Sequence, residues 1–269
     1  MKTPLTFALI ALLLAAPASL TAEPVRGLPP GSSFSVVFDD MPPTFFALFT
    51  KQDVKATMTI CLPHNYSPAK QHPLLVYFNG WDGGDGNTLG VARGITGQQD
   101  FICVSMPLFK APGFKVDKAN SPGKDFILTE PDGRAMWPLF KTMLDKVEEL
   151  VPNIDKIHRV IGGSSNGAHA TAALIDGSDG ELCKLFSAYL LVEGGGKLRH
   201  FEHLKGKLYM MVSSQSKSKP RALEIMEQAK AAGARTTFLC EDVGKHEFPV
   251  SAYPAVREWL HGPVLEGPR

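Results

Sequence analysis

Gly163-Ser164-Ser165-Asn166-Gly167 sets a serine between two glycines, one two residues before it and one two residues after. A serine hydroxyl becomes a useful nucleophile only where a base can take its proton and donors can hold the negative charge its attack creates. The G-x-S-x-G pattern meets the geometric part of that need when it joins a strand to a helix. The turn that lifts the serine out of the sheet is so sharp that the residues two away on each side must almost lack side chains. The spacing selects Ser165 over Ser164, because a nucleophile at 164 would put Asn166 where Gly167 is wanted. Background glycine usage flanks a given serine this way roughly once in two hundred, so coincidence is a poor account of a pattern that also follows an apolar run and precedes a helical one. The chemistry on offer is nucleophilic attack on an acyl carbon, with eight histidines as candidate bases.

The elements that would position such a serine can be read from period and punctuation. Strand-like apolar runs cover residues 33–38, 56–62, 73–79, 101–106, 158–162, 187–192, 207–212 and 236–240. Helical patterns cover 137–151, 168–175 and 220–232; the last carries Leu223, Ile225, Met226 and Ala229 on one side and stops at Gly233. Continuous apolar strands separated by helices imply a doubly wound, mostly parallel α/β sheet with helices on both faces, preceded by two extra N-terminal strands. Residues 107–135 lack clear periodicity. Ligands in such sheets sit at the carboxyl ends of the strands, so the residues just past each strand carry the function.

Several of those strand-end residues belong to a wider pattern. Leu62-Pro63 precedes Tyr66, a strand ends in Asn79-Gly80-Trp81, and Asn153-Ile154-Asp155 leads into the strand before Ser165-Asn166-Gly167. His246-Glu247-Phe248-Pro249 follows the last strand. On these residues, and over roughly 56–260, the sequence resembles the α/β-hydrolase superfamily. Within it, the likeness is to secreted esterases of the polyhydroxyalkanoate-depolymerase and feruloyl-esterase kind. The resemblance implies His246 as the base and fits the chain order serine, acid, histidine. It implies two oxyanion donors: the backbone N–H of Asn166, and that of Trp81 in the turn Asn79-Gly80-Trp81-Asp82-Gly83-Gly84, where Asn79 stands for the family's histidine. The Trp81 indole could instead wall an acyl pocket. His169, on the helix after the elbow, should project away from the hydroxyl and reads as packing. The triad acid departs from the pattern. The resembling esterases carry an Asp after the strand matching 207–212, whereas Ser213-Ser214-Gln215-Ser216-Lys217-Ser218-Lys219 holds no acid. Glu193, at the end of the preceding strand, is the preferred replacement. Asp242 is the alternative, and a Ser–His pair without an acid is the third arrangement.

With 28 basic against 27 acidic side chains and a net charge of +1, the chain lacks the basic field that nucleic acid or an anionic membrane requires. Met1-Lys2, the apolar run from Leu5 to Ala15 and the small residues up to Ala22 predict a signal peptide over 1–22, cleaved after Ala18 or Ala22. Residues 23–269 would then form a single α/β-hydrolase domain, secreted or periplasmic, with no membrane contact. Cys61, Cys103, Cys183 and Cys240 form no C-x-x-C pair, so no thiolate metal site and no particular disulfide is expected. Asp82 and Asp85 lack the register of a calcium loop, and no cofactor or metal is expected. The expected activity is a serine esterase forming an acyl-enzyme on Ser165 from a small-molecule or polymer-linked ester. A peptidase or thioesterase with the same site, and a non-catalytic binding protein, are the alternatives. Phe109, Phe114, Phe126 and Trp137 are candidate pocket residues.

Overall fold

The computed structural model of the chain describes residues 27–39, 45–47, 52–80, 88–108 and 129–267. Ten strands are assigned within them: β1 (Ser33–Phe38), β2 (Phe45–Ala47), β3 (Gln52–Val54), β4 (Ala56–Cys61), β5 (His72–Phe78), β6 (Ile102–Met106), β7 (Ile154–Ser164), β8 (Ala188–Val192), β9 (Leu208–Ser213) and β10 (Arg235–Cys240). Eight of them form one sheet in the order β1-β4-β6-β5-β7-β8-β9-β10, and β2 pairs with β3 separately. From β6 to β10 every pairing is parallel, while β1 and β4 run antiparallel. The expected mostly parallel, doubly wound sheet is therefore present, and β2–β3 is an addition to it.

Why these segments are strands follows from their surroundings. Every residue of β5, β6, β8 and β9 is buried, as parallel strands covered on both faces must be. Successive side chains point to opposite faces. Leu74, Val76 and Phe78 enter one core with α2 (Glu130–Leu150), α3 (Asn166–Gly177) and α5 (Lys219–Ala231). Leu75 and Tyr77 enter the other, with α1 (Gly90–Thr96) and α6 (Tyr253–Trp259). A short α4 (Glu181–Leu185) joins the first core through Leu182. No helix among the described residues is long and apolar enough to cross a membrane.

The longest difference from the sequence reading is in α2, which starts at Glu130 rather than Trp137. Pro131-Asp132-Gly133 reads locally as a turn, and Pro138 as a breaker. Here Pro131 occupies the tolerated first turn, and the Asp132 carboxylate accepts from the Thr129 backbone N–H at 2.7 Å. Gly133 lets α2 meet the elbow helix: a Cβ there would lie 1.8 Å from the Ala173 carbonyl oxygen. Trp137, half-buried, stacks on core Phe140 at 6.0 Å. Phe109, Phe114 and Phe126, like residues 1–22, lie outside the described residues. The four cysteines are free thiols, three of them buried.

Candidate active site

Ser165 follows the last residue of β7 and caps α3. Its φ of 50° and ψ of −115° put a non-glycine residue in the strained left-handed half of the map. The flanking glycines are required by contact as well as by conformation. A Cβ on Gly167 would sit 2.1 Å from the Phe78 carbonyl oxygen, and one on Gly163 2.5 Å from the Gly167 carbonyl carbon. Gly167→Ala is accordingly expected to lose about 1–3 kcal/mol of stability from overpacking, seen as a lowered denaturation midpoint; an unchanged midpoint contradicts this packing. Ser164, one residue earlier, is hydrogen-bonded to the hydroxyl of buried Tyr77.

Two side chains, His246 on the coil after β10 and Glu193 at the end of β8, line up in sequence on Ser165. Its Oγ–H donates to His246 Nε2 at 2.8 Å. His246 Nδ1–H donates to Glu193 Oε2 at 3.2 Å. The imidazole is 52% exposed and the Glu193 side chain 3%, so the relay runs from a covered acid to a base open to solvent. Glu193 follows β8 and, like Ser165, has a positive φ, 49°. Gly194 must approach the elbow closely: a Cβ on it would lie 2.6 Å from the Ser165 carbonyl oxygen.

The segment without an acid has a specific use. Ser213 Oγ–H donates to Glu193 at 2.9 Å, Ser218 Oγ–H at 3.0 Å, and the Ser214 backbone N–H also donates to it. Burial alone would raise the Glu193 pKa; the hydrogen bonds from His246, Ser214, Ser213 and Ser218 overcome it and hold the carboxyl at about 2. The Ser214 hydroxyl is engaged as well, donating to the Lys245 carbonyl at 2.6 Å and accepting the Glu247 N–H at 3.3 Å. One buried serine thus holds the residues on both sides of His246 while its own N–H holds the acid. Composition shows these serines only as a missing Asp; their partners are 20 to 33 residues away in sequence, beyond any local signal.

The remaining candidates separate clearly. Asp242, the alternative acid, accepts from Ser216 Oγ in the loop after β9 and from the Gly244 N–H in its own loop, and the carboxylate bonded to His246 is Glu193. His169 Nδ1 accepts the Gly195 N–H at 3.1 Å. Burial first, then the positive field of Lys197 and His246, lowers its pKa to about 4, so it is a neutral brace for the turn after Glu193. Asn166 begins α3 directly behind Ser165. Trp81 falls in 81–87, outside the described residues. Gly80, just before it, lies against the elbow: a Cβ there would be 3.4 Å from that of Ser165. Asn79 is buried and its Nδ2 donates to the Thr88 carbonyl and to Ser105 Oγ, both at 2.9 Å, which ties the end of β5 to the start of α1 and to β6. A cavity of about 180 Å³ borders Glu193, His169, Met211 and Ile225, but neither Ser165 nor His246.

No protein-family model matches the sequence, and no curated protein matches it. Solved structures do. A thermostable esterase shares 16% identity at a TM-score of 0.58, over 88% of this chain and 63% of its own length. A carboxylesterase from Mesorhizobium loti shares 17% identity at 0.55, over 85% and 99%. A ferulic acid esterase from Anaeromyces mucronatus, solved with ferulic acid, shares 13% identity at 0.55, over 93% and 96%. The chain therefore spans less than two thirds of the first of these proteins and nearly all of the other two. The architecture is the α/β-hydrolase fold.

Proposed function

We propose that this α/β-hydrolase-fold chain is an exported serine hydrolase of carboxylic esters. The observation that carries the reading is the hydrogen-bonded relay Glu193–His246–Ser165 on a strained elbow. Ser165 Oγ attacks the ester carbonyl carbon as His246 Nε2 takes its proton. The tetrahedral oxyanion accepts from the backbone N–H groups of Asn166 and Trp81. His246 then protonates the departing alkoxide, leaving an acyl-enzyme, and the same base activates the water that hydrolyses it. The Glu193 anion fixes the imidazole tautomer and stabilises its cationic form. Three structures named as esterases on the same fold support ester hydrolysis, while a dipeptidyl aminopeptidase and an S-formylglutathione hydrolase of similar fold keep amides and thioesters among the substrates to test. In this reading the substrate is a small-molecule or polymer-linked ester, and residues 1–22 direct export to the periplasm or medium.

The test is a panel of acetyl, longer-chain acyl and feruloyl esters, with a thioester and a peptide anilide beside them, run together with a fluorophosphonate probe. Turnover of an ester together with labelling of the protein is expected. Labelling with turnover of only the thioester or anilide would move the reaction class, and a protein that resists the probe would sink the proposal. Ser214→Ala probes the support of the base. It keeps the N–H to Glu193 and removes the hydroxyl that grips the His246 loop. With one such bond worth about 1.4 kcal/mol, kcat should fall about tenfold with KM nearly constant. A change in KM alone contradicts the positioning role.

A further inference from the structure

The connection from β8 to β9, which begins at Glu193, contains a second cluster of ionisable side chains that the proposed chemistry does not use. His200, Glu202 and His203 lie on one 3₁₀ turn, whose helical residues are Phe201–Leu204. A 3₁₀ helix has three residues per turn, so side chains three apart eclipse. The His203 N–H donates to the His200 carbonyl at 3.2 Å, and the two imidazoles stand with centroids 5.7 Å apart and planes tilted by 34°. Glu202 Oε1 is 2.9 Å from His200 Nδ1. One ligand atom from each of the three residues falls within 4.8 Å of the others.

From this geometry we propose that His200, Glu202 and His203 bind a divalent transition ion, Zn²⁺ in the first instance, with solvent completing the coordination. Two imidazoles and a carboxylate suit a borderline ion better than Mg²⁺ or Ca²⁺. Bond lengths near 2.1 Å in a tetrahedral site set donors about 3.4 Å apart, so small side-chain rotations from the observed positions close the site. A further observation points the same way. The other nitrogen of His200, Nε2, faces Glu130 Oε2 at 3.4 Å, while Arg134 holds the second Glu130 oxygen at 3.2 Å. That is the carboxylate–histidine–metal arrangement, in which an outer carboxylate orients the ligating ring. The backbone is fixed beforehand: Asp176 on α3 accepts the His200 N–H at 2.9 Å, and buried Leu204 anchors the turn in the core. The ion would pin the β8–β9 connection beside the start of α2 and act as a structural clamp with no part in hydrolysis.

The experiment is calorimetric titration of Zn²⁺ into the metal-stripped chain carrying no affinity tag, with thermal denaturation in parallel. One saturable equivalent and a raised midpoint are expected, with ester turnover unchanged. His203→Ala should weaken binding at least about tenfold, and so should Glu130→Gln, which keeps all three ligands and removes only the outer carboxylate. Glu202→Gln, at an exposed position, serves if the histidine variant misfolds. Absence of a saturable equivalent, or an affinity unmoved by Glu202→Gln and Glu130→Gln, overturns the site.

Discussion

Ser165→Ala is expected to lower ester turnover by about 10⁴-fold or more, and to abolish fluorophosphonate labelling, without loss of fold. Among the described residues Oγ bonds to His246 Nε2, and that imidazole is half-exposed, so water replaces the lost partner and no buried polar group is orphaned. Alanine fills the left-handed elbow with the same Cβ that serine does. The comparison is between initial rates on an activated acetyl ester, with circular dichroism to show the fold. A variant that keeps even a tenth of the wild-type rate would place the nucleophile elsewhere.

Glu193→Gln should cost about 10³–10⁴-fold in kcat, because a neutral amide neither enforces the productive imidazole tautomer nor stabilises the imidazolium. Asp242→Asn should cost almost nothing, since that carboxylate bonds to Ser216 and to the Gly244 N–H. Equal effects of the two substitutions would refute the assignment of the acid. Glu193 also carries a pH signature in stability. Its folded pKa, about 2, lies below the ordinary 4.5, so its contribution is complete above about pH 4.5 and disappears as pH falls toward 2. The stability difference between wild type and Glu193→Gln should therefore shrink across that window and stay flat above it. A difference that persists at pH 2 contradicts the hydrogen-bonded carboxylate.

What could be read from the sequence alone was the sheet. Runs such as Leu74-Leu75-Val76-Tyr77-Phe78 are apolar on both faces because helices cover both, and no polar alternation competes with that reading. The elbow was legible because steric demand is written in residue type at fixed spacing. The first two turns of α2 were not, because Pro131, Asp132 and Gly133 are turn formers locally and become helical only against α3, where Gly133 admits the Ala173 carbonyl. The cradle around Glu193 was hidden for a related reason. Ser213, Ser214 and Ser218 look like an acid-free loop until the neighbouring strand brings a carboxylate to them. His246 was found through its place after the last strand and by resemblance; the grip of Ser214 on its loop has no sequence signature.

Ser165 and Glu193 share one more property with a practical side. Each donates its N–H to a carbonyl at the carboxyl end of the next strand, Ser165 to Val192, the last residue of β8, at 2.8 Å and Glu193 to Val212, the last but one of β9, at 3.0 Å, before turning out of the sheet. Their separation is thus set by adjacent strands, about 4.8 Å apart, and by main-chain bonds that no side-chain exchange removes. For an engineer the sheet edge is a ruler with the proposed nucleophile and acid marked on it. Loops can be grafted and pockets recut to change the substrate range without moving either mark, and His246, carried on a coil, is the one member whose position a redesign has to retune.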